Sequence, residues 1–334
     1  MRVVVVGGAG NFGGRIVRAL RTEPGIELLV AGRWITNAPG TDGVPGVRLD
    51  IHAAGFARQL KALAPGLVIH CVGPFQGQDY RVANAALAAG SHYVDLADGR
   101  QFIAGFAAAM NEQAVKAGRV AICGASTLPA LSSAVVEELR RGLTSLESIA
   151  VIIAPGQRAP RGRATMEAVF SYLGRPFPVW RDGQWRRTWG WMDLQTVRFA
   201  AALEFSAQHL MLWGLAALRR VGLPFPVARW AVRLNRWAGI FDSRAGETGG
   251  MSVSVIGDGG VGRNRRRRTW QLTAPAMDGP EIPCMATILL ARRLARGEVF
   301  ESGAFSCIGF LTLAEFAPEF SRWKITTRTE EVTV

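Results

Sequence analysis

Val3-Val4-Val5-Val6-Gly7-Gly8-Ala9-Gly10-Asn11-Phe12-Gly13-Gly14 decides the fold of this chain. Four consecutive β-branched residues make a strand covered on both faces, because a strand with one wet face would alternate apolar with polar positions. The run breaks at glycine, and Asn11 to Arg21 resumes with apolar residues at helical spacing. A strand, a Gly8-x-Gly10-x-x-Gly13 turn and a helix, in that order, form a dinucleotide-binding fingerprint. The glycines permit a tight turn, close backbone approach to a pyrophosphate and packing of the helix on the strand, with the helix N-terminus facing the phosphates. Gly8, Gly10, Asn11, Phe12 and Gly13 are therefore the expected phosphate-side contacts.

Outward from that turn, short β-branched runs alternate with small-residue helical stretches. Strands are expected near Arg2 to Val6, Ile26 to Ala31, Gly66 to Val72, Tyr93 to Leu96, Arg119 to Cys123 and Ser148 to Ile153. Helices are expected over Asn11 to Arg21, Gln78 to Ala89, Gln101 to Ala117 and Pro129 to Arg141, the last with Ser126 and Pro129 as its start signal. This predicts an α/β fold: a Rossmann-type doubly wound parallel sheet over residues 1–155. Past Pro155 tryptophan becomes frequent, arginines cluster and the alternation is lost, so residues 156–334 are expected to form an α+β second domain with antiparallel strands. Met251 to Ile256, the turn Gly257 to Gly260 and the return Arg265 to Thr273 predict a hairpin. Ala200 to Ala238 reads as helix broken at Pro224 and Pro226.

The 334 residues carry a net charge of +13, from 39 Lys and Arg against 26 Asp and Glu, and that length suits two domains. The four cysteines, at 71, 123, 284 and 307, include no CxxC pair and no histidine at ligand spacing, so no metal site is expected. Free thiols and the absence of a signal peptide pattern suit a reducing cytoplasm. The longest uncharged apolar stretch, Phe205 to Leu218, contains Gln208 and His209 and is too short to span a bilayer. The basic balance favours an anionic partner. No RNP-like, zinc-finger or helix-turn-helix pattern accompanies it, and no nucleic acid partner is expected.

Four further stretches fall at expected strand ends. Ala31-Gly32-Arg33 stands where an NAD-binding fold places an acidic residue for the ribose 2′-hydroxyl; a cation there suits a 2′-phosphate, which favours NADP(H) over NAD(H). Asp50 follows Val47-Arg48-Leu49 and is placed toward the adenine side. Val72-Gly73-Pro74 closes the strand containing His70 and Cys71 and is expected to flank the cofactor, with His70 and Cys71 as core residues. Asp95 ends the next strand as a ribose, water or proton-transfer group, and Tyr93, on the same face, is a rival proton donor. Ser126 and Ser132, at the start of the following helix, are expected to present donors to an anionic substrate group.

In the second domain Arg263, Arg265, Arg266, Arg267 and Arg268 crowd one strand. Arg266 and Arg268 share a face with Trp270 and Leu272, so one set lines an anion site or the strand is simply solvated. Trp213, Trp230 and Trp237 lie in apolar segments edged by Arg219, Arg220, Arg229, Arg233 and Arg236. Core or dimer packing and peripheral membrane contact both fit that pattern.

Taken with their order and spacing, Gly7 to Gly14, Ala31-Gly32-Arg33, Val72-Gly73-Pro74-Phe75 and Gly90-Ser91-His92-Tyr93-Val94-Asp95 resemble the saccharopine dehydrogenase-like family. The resemblance continues through Pro129-Ala130-Leu131-Ser132-Ser133, and more loosely through Gly279 to Pro283 and Ser302-Gly303-Ala304. It implies a Rossmann-type NAD(P) domain, an α+β domain that covers a small-molecule substrate and often dimerises, and hydride transfer to an imine, ketone or enoyl group. Two departures stand out: Ala97-Asp98-Gly99 replaces the family's Thr-Gly-Glu-like ending, and the segment from Trp191 to Val197, around Asp193, is short. The resulting expectation is an NADP-dependent oxidoreductase of this type, acting on an anionic or lipid-linked small molecule as a homodimer. The competing readings are a catalytically silent NADP(H)-binding regulator and a peripheral membrane, lipid-associated protein.

Overall fold

The computed structural model describes all residues except 34–40, 42, 157, 161, 182, 192–198, 202–205, 223–229, 231–245, 260–264 and 276. The expectations for Arg263, Gly260, Asp193, Pro224, Pro226, Arg229, Arg233, Arg236 and Trp237 lie outside the described residues. The described chain forms two units, residues 1–137 with 280–319, and 138–279 with 320–334.

The first unit is a parallel sheet of seven strands. Its members are β1 (Arg2–Val6), β2 (Glu27–Gly32), β3 (Gly46–Arg48), β4 (Leu67–His70), β5 (His92–Asp95), β6 (Val120–Cys123) and β13 (Gly303–Ser306), in the spatial order β13-β6-β5-β4-β1-β2-β3. The order reverses between β1 and β4, which makes the carboxyl ends of those two strands the switch point of a doubly wound sheet. Val3 to Val6 are 0% exposed, as a strand covered on both faces requires. Helices α1 (Asn11–Leu20), α2 (Phe56–Ala62), α3 (Arg81–Ala88), α4 (Arg100–Ala117) and α5 (Ser132–Leu139) connect the strands. In α4, Phe102, Phe106, Met110 and Ala114 form one buried stripe four residues apart, and Gly118 ends the helix with φ +61°, a left-handed conformation that glycine adopts without strain.

The sequence division at 155 places residues 280–319 in the second domain, whereas they belong to the first unit. Their helix α8 (Ile282–Ala295) packs on α1, where Glu281 pairs with Arg15 at 3.0 Å and Arg18 at 2.6 Å, and β13 adds the edge strand beside β6. A composition shift cannot mark a chain that leaves a unit and returns to it.

The second unit holds a five-stranded sheet, β10-β7-β11-β12-β14, of β7 (Ser145–Ala154), β10 (Phe199–Ala201), β11 (Gly249–Asp258), β12 (Arg265–Ala274) and β14 (Thr326–Thr333). It also holds helices α6 (Arg163–Ser171) and α7 (Ser206–Arg220), and a hairpin of β8 (Pro176–Arg181) and β9 (Gln184–Trp189). α9 (Leu313–Arg322) begins in the first unit and ends in the second. The strand expected over Ser148 to Ile153 is β7, which pairs antiparallel with β11 instead of joining the parallel sheet. Along β11 alternate residues are buried, Met251, Val253 and Val255 among them, the pattern of a sheet with one covered face.

The expected hairpin is present, with Asp258 opposite Arg265. Its arginines are engaged within the unit: Arg265 pairs with Glu147 at 2.6 Å, Arg266 and Arg268 both pair with Glu331, and Arg268 donates to the carbonyl oxygens of Leu139 and Arg141. Three of the four described arginines are thus spent on stitching β12 to its neighbours, which removes the anion-site reading for them.

Candidate functional site at the sheet switch point

The site is assembled in the first unit at the carboxyl ends of β1, β4, β5 and β6. After β1 the chain turns at Gly7, whose φ of +85° suits glycine alone and whose added Cβ would lie 2.9 Å from Val72 Cγ2. Gly8 bonds back to the Val5 carbonyl and Gly10 to that of Gly7, closing two consecutive tight turns. Gly13 is held hardest: a Cβ there would stand 2.1 Å from the Gly7 oxygen and 2.7 Å from Gly8 Cα. Its absence is what lets α1 pack on the turn. Gly10 is the exposed member, with extended φ −81°, ψ 176°, and a Cβ on it would meet only the Gly7 oxygen, at 3.1 Å.

Gly10 occupies the N-cap position of α1, where no side chain supplies a cap hydrogen bond. The first-turn N–H groups of a helix need an acceptor from outside it, and the positive end of the helix dipole favours an anion. Asn11 and Phe12 are half-buried in that turn. The Arg15 side chain reaches back to the Asn11 carbonyl and amide oxygens, both at 2.7 Å. A glycine cradle that side chains would fill, opening on an uncapped ten-residue helix, fits the pyrophosphate of a dinucleotide.

Arg33, one residue past β2, is exposed and makes no ion pair among the described residues. Asp50 is half-buried beyond β3, and its Oδ1 accepts the His52 N–H at 3.0 Å. Val72, Gly73 and Pro74 are half-buried where β4 ends, directly against Gly7, and the Gly73–Pro74 peptide is cis. Gln78 Nε2 donates to the carbonyl oxygens of Val72 at 2.8 Å and Pro74 at 2.7 Å, which fixes this loop from behind. The glycine turn and the Val72 loop are thus brought together, while Arg33 and Asp50 sit at the ends of successive strands on the β2–β3 side.

Asp95 and Tyr93 lie on the other side of the switch point, and both are 0% exposed. Asp95 Oδ1 accepts the N–H groups of Gly124 at 2.7 Å and Ala97 at 2.9 Å. Desolvation raises its carboxyl from 3.8 to about 6, against the opposing pull of those two N–H groups and of Tyr93 and Cys123. Its Oδ2 is buried without a hydrogen-bond partner among the described residues. Tyr93 stacks on Phe106, with ring centroids 5.8 Å apart, and its hydroxyl lies 3.0 Å from His70 Nδ1. Burial lowers His70 from 6.5 to about 3, so the ring is neutral, with Nε2 unpartnered among the described residues. The sequence reading leaves Asp95 as a ribose, water or proton-transfer group, with Tyr93 as a rival proton donor; in the structure both side chains are fully buried, because β5 is covered on its two faces.

What Asp95 holds is the loop after β6. Gly124 there has φ +78°, and an added Cβ would fall 2.6 Å from Pro129 Cδ. Thr287 of α8 fixes the same loop from the far side by donating to the Ala125 carbonyl at 2.7 Å. Ser126 forms no cap, since Leu128 before the cis Pro129 is extended (φ −124°, ψ 132°) and regular helix starts only at Ser132. Ser132 Oγ donates to the Pro129 carbonyl, so it is committed to the backbone and not offered to a ligand. Gly124 and Thr287 were not singled out in the sequence. The Gly124 signal was a glycine directly after a buried strand; Thr287, inside a long apolar helix, carried none.

In fold, the chain is similar to apo histidine-tagged saccharopine dehydrogenase (L-Glu forming) from Saccharomyces cerevisiae, at 13% identity and TM-score 0.65 over 99% of this chain and 100% of that one. It is similar to homospermidine synthase from Legionella pneumophila in complex with NAD, at 8% identity and TM-score 0.57 over 100% and 91% of the two chains. It is also similar to DAP dehydrogenase of C. glutamicum in complex with DAP, at 17% identity and TM-score 0.55 over 95% and 96%. No protein-family model and no curated protein matches the chain. The likeness is one of architecture, a parallel Rossmann-like sheet accompanied by an antiparallel one, as the sequence motifs predict.

Proposed function

We propose that the protein is an NADP(H)-dependent oxidoreductase that transfers a hydride between the nicotinamide and an imine, ketone or enoyl group of a small molecule. The observation that carries this reading is the uncapped N-terminus of α1 behind the Gly7–Gly13 cradle, set against the Val72–Pro74 loop at the switch point. The fold shared with saccharopine and DAP dehydrogenases supports it.

The bound dinucleotide would supply the hydride. The chain's own part is to bind, orient and keep water out. The turn Gly8, Gly10, Asn11, Phe12 and Gly13 would take the pyrophosphate, Arg33 the 2′-phosphate, Asp50 the adenine side, and Val72, Gly73 and Pro74 the nicotinamide side. Asp95 acts as a positioning residue: it shapes the loop after β6 through the Gly124 and Ala97 N–H groups, and Tyr93 with His70 packs behind it. The test is turnover. NADPH-loaded protein is mixed with panels of imines, ketones and enoyl thioesters, and loss of reduced-nicotinamide absorbance is followed. Turnover with one class supports the proposal, whereas tight NADPH binding with none would leave the silent regulator.

The Arg33 assignment has its own outcome. Arg33→Ala is expected to weaken NADPH about 10- to 100-fold, the worth of one charge-assisted contact of about 1.5–3 kcal/mol, and to leave NADH unchanged. Equal loss for both nucleotides, or no loss, would remove the 2′-phosphate from this residue.

A further inference from the structure

Among its described residues the second unit displays an apolar stripe that their packing leaves exposed. One side of α7 is internal: Leu212 and Ala216 pack with Met166, Phe170 and Leu173, and Arg219 donates to the Leu173 carbonyl at 3.0 Å. The opposite side carries Leu210, Trp213 and Leu218, continued past the helix end by Val221, and these are 65%, 41%, 50% and 76% exposed. Positions 210, 213, 218 and 221 fall within one face of a helix turning 3.6 residues at a time. Exposed apolar side chains scattered singly are ordinary; a contiguous helical stripe of large ones marks a contact surface.

The charge around the stripe selects the partner. Residues 206–222 contain Arg219 and Arg220 and no carboxylate. Arg220 is exposed and lies over the Trp189 ring of β9, 4.7 Å from its centroid. By strand alternation Trp185 and Arg187 share the Trp189 face of the β8–β9 hairpin, and both are exposed, Trp185 at 67%. An apolar helical stripe with exposed tryptophans and a rim of arginines matches an anionic bilayer surface, where the acyl boundary takes the aliphatic groups, the interface takes the indoles and the headgroups take the guanidinium groups. A second copy on the same patch would bring only more positive charge to its rim, since residues 206–222 offer no carboxylate to pair with the arginines. We propose that this face of α7, with the β9 edge, is a peripheral docking surface for anionic phospholipid. No described helix is long and apolar enough to cross a membrane.

The proposal is independent of the cofactor reading and is tested on the full chain without nucleotide. Co-sedimentation is measured with phosphatidylcholine vesicles and with vesicles that also contain phosphatidylglycerol, at low and high salt. The variant L210S/L218S/V221S changes only exposed side chains, and R220E reverses the rim charge. The expected result is binding to the anionic vesicles only, weakened by salt and reduced at least about tenfold by either variant, with the melting temperature of the triple variant unchanged. Three results would overturn it: no sedimentation with anionic vesicles, sedimentation unaffected by the triple variant, or a wild-type dimer that the triple variant converts to monomer.

Discussion

Replacing Gly10 by valine is expected to weaken NADPH and NADH alike by at least about 100-fold, equivalent to about 2.7 kcal/mol, while the protein keeps its fold. Gly10 has extended backbone angles that any residue adopts, it is exposed, and a Cβ meets only one atom, the Gly7 oxygen at 3.1 Å. The structural cost is then mainly the loss of a good cap residue, about 1 kcal/mol and a few degrees of melting temperature. A branched side chain at that position, however, fills the approach to the first-turn N–H groups of α1. Gly13→Ala provides the contrast, because its Cβ would collide with Gly7 and Gly8 and is expected to abolish folding and binding together. Titration and thermal melts of the two variants check the pair. Full affinity in Gly10→Val would make the loop a structural turn and nothing more.

The second large effect is a pH dependence that appears only when one partner is removed. In the unfolded chain Asp95 ionises near 3.8 and His70 near 6.5, whereas in the folded chain burial moves them to about 6 and about 3. Between about pH 4 and 6 the unfolded chain therefore holds carboxylate and imidazolium, and the folded chain holds carboxylic acid and neutral imidazole. Each state binds one proton, so the pair contributes no slope to stability in that window. With Asp95→Asn, His70 remains alone: its folded value is depressed, the unfolded chain takes the proton first, and stability falls as pH drops from 6.5 toward 3. With His70→Phe, Asp95 remains alone: its folded value is raised, the folded chain takes the proton first, and stability rises as pH drops from about 6 to about 4. Either slope amounts to about 1.4 kcal/mol per pH unit at most. Denaturant unfolding of each variant at several pH values, expressed as the difference from wild type, isolates the pair from other groups. Difference curves that stay flat would show that the two groups are not enclosed together.

Much of this arrangement was legible from residue pattern, and the exceptions have physical causes. Val3 to Val6 and Val120 to Cys123 read as strands because burial on both faces leaves an unbroken apolar run, and Met251 to Ile256 because one covered face leaves alternation. β14 carries no strand signal, since all eight of its residues are exposed and its pattern of threonines and charges holds no hydrophobic period. β8 and β9 were missed although Asp182-Gly183 is a hairpin signal, because Pro176 and Pro178 argue against a strand and are tolerated at an edge. At the site, the glycine turn and the Val72 loop were legible as local motifs. The setting of Asp95 was not: its Oδ1 accepts the Gly124 N–H of the neighbouring loop, and Thr287, on a helix that the chain reaches more than 160 residues later, donates to Ala125 of that same loop, contacts with no local signature.

Whether the switch point is a nicotinamide dinucleotide site is decided by titrating the purified, folded protein side by side with NADPH and NADH, following nicotinamide fluorescence and energy transfer from tryptophan. The predicted result is saturable binding of both, with NADPH tighter by at least about tenfold, as one added ion pair with Arg33 would give. Absence of binding by either nucleotide would contradict such a site and reduce the likeness to dehydrogenases to one of fold.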